Sequence, residues 1–334
     1  MRSRTTVTGV ATVLLAISLL AACTPSMAAE PPARSSVTTT PARTPPSSGQ
    51  PTSTPPADPS SPLVIAHRGG TADYPENTLL AFTKALENRV DLLWMTVQVT
   101  KDGVPVLYRP ADLSALTNGS GKVADKALKE LRPLNAGWNF KDKDGTYPYR
   151  NDPQPIPTLQ EALDAVPPHV PIILDLKALP AETVAESTAR VLEKAKAWHR
   201  VRVYSTETAA ITAMTRFPQA QVFETRDATR QRLADVALAH QCTNPPAAGT
   251  WAGFELRRDV TVTERFTLGT GESRVKAQMW DEESVGCFES AGQTKIVMFG
   301  INTKDDYQLA KKLGAFAVLA DSPRDMATIR NELR

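Results

Sequence analysis

No charge of one sign dominates this chain: 38 Lys and Arg against 36 Asp and Glu leave a formal charge of +2. That balance excludes the basic footprint of a nucleic-acid-binding domain. No stretch reaches the ~20 apolar residues that span a bilayer as a helix, and the run from Val10 to Leu20 falls well short. Cysteine is scarce, at 3 residues, with no CxxC or Cys/His cluster of the kind that holds zinc. Between residues 24 and 61 apolar side chains are themselves scarce, which excludes a packed core there.

The N-terminus carries an address instead. Arg2 and Arg4 precede the Val10–Leu20 run, which ends in LAAC at Cys23. A charged start, a short apolar core and small residues before a cut mark a secretory signal. Small residues directly before a cysteine resemble the lipobox of bacterial lipoproteins. On that reading residues 1–22 are a signal peptide, and Cys23 is lipidated at the mature N-terminus. The protein is then exported and held on the outer face of a bacterial cell membrane. The alternative is an ordinary signal cut nearer SMAAE, with Cys23 discarded. In residues 24–61 Pro, Ser and Thr dominate, and 11 of the 27 prolines lie between Pro25 and Pro62. Such a linker is expected to be disordered and extended, reaching on the order of 100 Å at ~3.1 Å per residue. Cys242 and Cys287 remain. Two cysteines in an exported domain suggest one disulfide, two buried thiols being the alternative.

Residues 62–334 are expected to fold as one domain. LVIAH, LLWMTVQV, VPVLY, VPIILDLK, RVRVYS, AQVF, KIVMFGIN and FAVLA read as strands, with helical patterns such as NTLLAFTKALEN and AETVAESTARVLEKAKAWH between them. Apolar runs without polar alternation, each followed by a helix, predict a parallel sheet covered on both faces. About eight such units in this length fit a closed (β/α)8 TIM barrel. In the stretch 250–280, GFELRRDV reads as a strand and TERFTLGTGESR as a loop insertion. Chemistry in such barrels sits where strands end. That singles out His67 and Arg68, residues 96–102, Arg109, Asp175, Lys177 and Asn302.

IAHRGGTADYPENTLLAF (65–82), VTKDGVPVL (99–107), IPTLQEAL (156–163), LDLK (174–177) and FGINTKDDYQLAKKLGAFAVLADSP (299–323) occur in that order. Together they resemble the glycerophosphodiester phosphodiesterases. The resemblance implies a (β/α)8 barrel that hydrolyses phosphodiesters such as deacylated phospholipids. It also implies a divalent ion, Mg²⁺ or Ca²⁺, held by an i, i+2 carboxylate pair on the second strand and one later carboxylate. Two histidines would act as acid and base, with an arginine and a lysine on the phosphate.

Residue by residue, His67, Arg68, Glu76 and Lys177 match that pattern, and Asp175 stands at the later carboxylate. Trp94 and Thr96 replace the carboxylate pair; Arg109 and Pro110 replace the second histidine and its aspartate. Hard divalent ions need several oxygen ligands, and arginine is no general base. The reading is therefore of a barrel without a metal or other cofactor. It would bind a small phosphorylated or polyol ligand through Arg68, Arg109, Lys177 and Trp94, with Glu76 and Asp175 bracing the pocket. With two carboxylates lost alongside the dication, Arg68, Arg109 and Lys177 against Asp175 leave a formal +2 at the mouth. The alternatives are a weak, metal-independent diesterase using His67 as acid, and a passive scaffold on a long tether. A carboxylate from the insertion, Glu255 or Glu264, restoring a metal site is a further possibility.

Overall fold

The computed structural model describes residues 61–333. The signal, Cys23 and nearly all of the linker lie outside them. Among the described residues there are ten strands: β1 (Leu63–Ala66), β2 (Leu92–Val99), β3 (Pro105–Leu107), β4 (Ile172–Leu176), β5 (Val201–Tyr204), β6 (Trp251–Glu255), β7 (Arg257–Phe266), β8 (Gly269–Gln278), β9 (Lys295–Phe299) and β10 (Ala317–Ala320). Seven of them run parallel in the order β5-β4-β2-β1-β10-β9-β6. The gap between β5 and β6 is bridged by residues 221–224. Val203 donates to the Gln221 carbonyl at 2.8 Å, Phe223 donates to that of Val203 at 2.9 Å, and Glu224 donates to that of Trp251 at 2.9 Å. AQVF is thus the eighth staave of a (β/α)8 barrel-like fold, paired by a single bridge to β5.

Side chains on each strand divide between two apolar layers, as the period of a strand requires. Leu93, Met95, Val97 and Val99 pack outward with Leu174 and Leu176 against the helices. Trp94 points inward with Ile65, Ile173, Tyr204, Phe223, Val297 and Phe299 to fill the lumen. The helices bury matching stripes. In Ala181–Lys194 the buried positions are Ala181, Val184, Ala185, Thr188, Ala189 and Leu192, with Ser187 beside them. That is the i, i+3, i+4 spacing of an amphipathic helix.

Two expectations are corrected. VPVLY is not a barrel strand, because β3 pairs antiparallel with β2, Val97 opposite Leu107. The turn between them is too short for the crossover of a dozen or more residues that a parallel partner needs. The insertion is not a loop. β7 and β8 form a long antiparallel ribbon, Arg257 opposite Gln278 through Phe266 opposite Gly269, exposed along most of its length. GFELRRDV accordingly breaks at Leu256 into a barrel strand and a ribbon strand. Cys242 and Cys287 are disulfide-bonded, joining the segment after helix Arg226–Ala239 to helix Glu282–Glu289. Among the described residues no helix is long and apolar enough to cross a membrane.

Candidate functional site

After β1 the chain turns sharply through HRGG. Arg68 has φ 53°, Gly69 85° and Gly70 109°. A Cβ at Gly69 would lie 2.7 Å from the Ala81 Cβ, and one at Gly70 2.5 Å from the Pro323 Cδ. Only glycine allows both the left-handed backbone and the close approach. This turn sets His67 at the carboxyl end of the barrel. Its Nδ1 lies 2.6 Å from Asp321 Oδ1, and its Nε2 accepts from Arg68 Nε at 3.1 Å. That network assigns the proton to Nδ1. Asp321 follows β10 directly and accepts as well from Thr71 Oγ1 at 3.0 Å and Asn302 Nδ2 at 2.8 Å. Burial acts to raise its carboxyl, but His67, Asn302 and Thr71 outweigh burial and hold it at about 2.

Arg68 also donates through Nη1 to Glu76 Oε2. Glu76 does not cap the following helix; Thr78 does, accepting from Ala81 N at 3.2 Å. Asn77 ties this loop to β2 by accepting from Thr96 N at 2.9 Å. Across the sheet Thr96 is in register with Asp175, and Asp175 with Tyr204. Burial raises the Asp175 carboxyl, against the opposing charges of Lys177, Arg68 and His67. Lys177 Nζ is 3.3 Å from Asp175 Oδ1, an ion pair outside hydrogen-bond alignment, and donates to Thr206 Oγ1 at 2.6 Å.

Trp94, 2% exposed, closes the lumen beneath these groups. Its ring centroid lies 5.0 Å from Tyr204, 5.4 Å from Phe299 and 6.3 Å, edge-on, from His67. Tyr204 hydrogen-bonds Arg226 at 2.9 Å, and burial pushes its phenol up to about 12. Arg226 also donates to both Glu255 oxygens, at 2.8 and 2.6 Å.

The structure therefore gathers His67, Arg68, Glu76, Trp94, Asp175 and Lys177 at one end of the barrel. Arg109 follows β3 and is exposed. The Tyr108 and Pro110 carbonyls on either side of it accept from Gln98 Nε2 at 3.1 and 2.8 Å, which sets it beside the carboxyl end of β2, and no hydrogen bond or ion pair ties its side chain to the cluster. The expected +2 is reduced as well, since Arg68 faces Glu76 and Lys177 faces Asp175. Asp321, Asn77, Tyr204 and Arg226 were not read as site residues. For Asp321 a signal was present: a carboxylate immediately after the last barrel strand.

Five of the six buried side-chain polar atoms without a partner among the described residues lie in this region: Glu76 Oε1, Asn77 Nδ2, Trp94 Nε1, Thr96 Oγ1 and Asp175 Oδ1. Buried polar groups are ordinarily satisfied. Such a concentration marks a place where something else completes them.

A profile of the glycerophosphoryl diester phosphodiesterase family matches residues 67–325. The chain belongs to that family. It is 52% identical over 264 residues to the Mycobacterium tuberculosis protein Rv2277c, covering 78% of this chain and 87% of the relative. The crystal structure of the glycerophosphoryl diester phosphodiesterase domain of Rv2277c superposes with a TM-score of 0.76 at 50% identity, covering 81% of this chain and 99% of that one. The glycerophosphodiester phosphodiesterase of Bacillus subtilis is 33% identical over 124 residues, 36% of this chain and 41% of that protein. A phosphodiesterase of Oleispira antarctica, solved with its product sn-glycerol-3-phosphate, shares the fold at a TM-score of 0.58 and 22% identity, covering 81% and 97% of the two chains.

The residues present do not fit the divalent ion that family resemblance implies. At the two strand positions for carboxylates stand an indole and a hydroxyl, which offer an N–H donor and one weak oxygen ligand. Asp175 is already paired with Lys177. Glu255 is held by Arg226, and Glu264 lies on the exposed ribbon. Among the described residues no group of three or more His, Cys, Asp or Glu is arranged to hold a metal.

Proposed function

We propose that this barrel binds a glycerophosphodiester or a related polyol phosphate at its carboxyl end, without a divalent ion and without the family's metal-dependent hydrolysis. The observation that carries the reading is the set of orphaned polar atoms. Asn77 Nδ2 and Trp94 Nε1 are donors, Glu76 Oε1 is an acceptor, and Thr96 Oγ1 is both, while Asp175 Oδ1 has only its ion pair with Lys177 at 3.3 Å. Hydroxyl groups of a polyol donate and accept at once, so they complete a mixed set that the phosphoryl oxygens of a diester, which only accept, would leave half unmet. Lys177 and Arg68 stand beside these atoms with further donors for a phosphoryl oxygen. The proposed setting is an exported protein anchored through lipid on Cys23, with residues 24–61 as its tether. Fatty-acid labelling that disappears in Cys23→Ser supports this setting, and labelling that persists refutes it.

The test is calorimetric titration of glycerophosphocholine into the full chain in the presence of chelator. Binding that Lys177→Met weakens about tenfold supports the reading, since one hydrogen bond to a charged group is worth ~1.5–3 kcal/mol. No binding under these conditions removes it in favour of the passive scaffold.

One observation favours a second reading. With Nδ1 held by Asp321 at 2.6 Å, His67 keeps Nε2 as its basic atom. It accepts from Arg68 Nε at 3.1 Å and becomes a proton acceptor for substrate once Arg68 turns to the phosphate, as an oriented acid–base histidine requires. Slow release of choline in chelator, lost in His67→Ala, would establish a metal-independent diesterase. Turnover only with added metal would refute both readings.

A further inference from the structure

At the opposite end of the barrel a cavity of about 360 Å³ opens between the first residues of β2, β4, β5 and β6, lined there by Leu92, Ile172, Arg202 and Trp251. That face of a (β/α)8 barrel ordinarily serves stability rather than chemistry. Arg202 is the unusual group in it. It pairs with Ile173 across β4 and β5, so it shares the inward face of the sheet. Its guanidinium lies 4.2 Å over the Trp251 ring and donates one hydrogen bond, at 2.6 Å, to Gln221 Oε1. Burial alone pulls its pKa down to about 10. No Asp or Glu lines the cavity.

Half-buried cations normally meet a carboxylate or a full set of neutral acceptors. The neighbouring Arg200 follows that rule, donating to the carbonyls of Leu163, Val166 and Pro167 at 2.7, 3.0 and 2.8 Å. Arg202 has neither: its one hydrogen bond, to Gln221, is itself exposed, and stacking on Trp251 leaves the other in-plane N–H groups facing the open cavity rather than buried without a partner.

We propose that this cavity is a second binding site, for an oxyanion carried on a small apolar body, such as a medium-chain carboxylate. Arg202 takes the anionic group in its free in-plane donors, with Trp251 beneath it. The exposed Pro168 and Pro171, over a floor of buried Leu92 and Ile172, receive the apolar part. The proposal is independent of the ligand at the other end of the barrel.

The probe is octanoate, titrated calorimetrically into the full chain beside 1-octanol and inorganic phosphate. Octanoate binds, and the other two bind at least about tenfold more weakly, since each lacks one half of the recognised chemistry. Arg202→Gln, which removes the charge and the in-plane donors, weakens octanoate by about tenfold or more. It leaves glycerophosphocholine binding as in the parent chain. Should that variant not fold, octanoate quenching of tryptophan fluorescence in the parent chain, lost in Trp251→Phe, decides instead. Equal affinity for octanol and octanoate overturns the proposal. So does octanoate binding that Arg202→Gln leaves unchanged, or the absence of any octanoate binding.

Discussion

Thr96→Val removes a hydroxyl and keeps the shape of the side chain. Thr96 is fully buried, at 0% exposure, and its Oγ1 has no partner among the described residues. A buried, unpaired hydroxyl costs about 1–3 kcal/mol by mutational data, and the substituted methyl adds roughly 0.8 kcal/mol of apolar burial. The ligand-free variant is therefore expected to be more stable by about 2–4 kcal/mol. In a domain of this size that is a Tm rise of roughly 4–16 °C, at ~2–4 °C per kcal/mol. If the hydroxyl exists to meet a ligand, the same change weakens glycerophosphocholine by about 2–10-fold, the worth of one neutral hydrogen bond. Thermal unfolding and calorimetric titration read the two effects separately. A Tm that falls refutes the premise, because the hydroxyl would then be satisfied in the folded protein. A Tm that rises with affinity unchanged refutes the ligand assignment and leaves Thr96 a plain packing defect.

Three further outcomes follow from the geometry. Asp321, held at about 2 against an ordinary 3.8, contributes stability that is complete above pH ~4 and lost as pH falls through ~2. Because its side chain is 36% exposed, the ceiling of ~2.4 kcal/mol is discounted to about 1–2; the difference between parent and Asp321→Asn urea curves should shrink across that window, and a constant difference sinks the idea. Reducing the Cys242–Cys287 bond, whose partners are 45 residues apart, should lower stability by about 2–4 kcal/mol, read as a lower urea midpoint with reductant that a double Cys→Ser variant reproduces without it. Excising residues 257–278 and joining Leu256 to Met279, which already share a 2.8 Å backbone hydrogen bond, should move Tm by only a few degrees, since the ribbon's main tie to the barrel is the exposed Arg257–Asp306 pair; loss of the cooperative transition would show that the ribbon supports the barrel.

The barrel was legible because its strands are buried on both faces and so read as unbroken apolar runs. What failed to read had physical reasons. VPVLY is as apolar as its neighbours, and only the short TKDG turn before it carried the news that its pairing must be antiparallel. The ribbon from Arg257 to Gln278 packs on little besides itself, so it has no continuous apolar run to betray it; the alternation of Val260, Thr261, Val262 and Thr263 was its one local trace. Asp321 and His67 lie 254 positions apart, and a contact over that separation leaves no periodicity in either segment.

At the mouth each cation has its own anion: Arg68 with Glu76, Lys177 with Asp175, Arg226 with Glu255. Asp321 is left to His67. A phosphate arriving here meets paired charges rather than a bare positive field, so long-range attraction contributes little to holding it. Its affinity must come from short-range hydrogen bonds in a desolvated pocket, where unmet donors and acceptors weigh most. Trp94 Nε1 is itself one of those unmet donors, and the buried indole closes the lumen beneath the polar groups, so Trp94 both bounds this site and takes part in it.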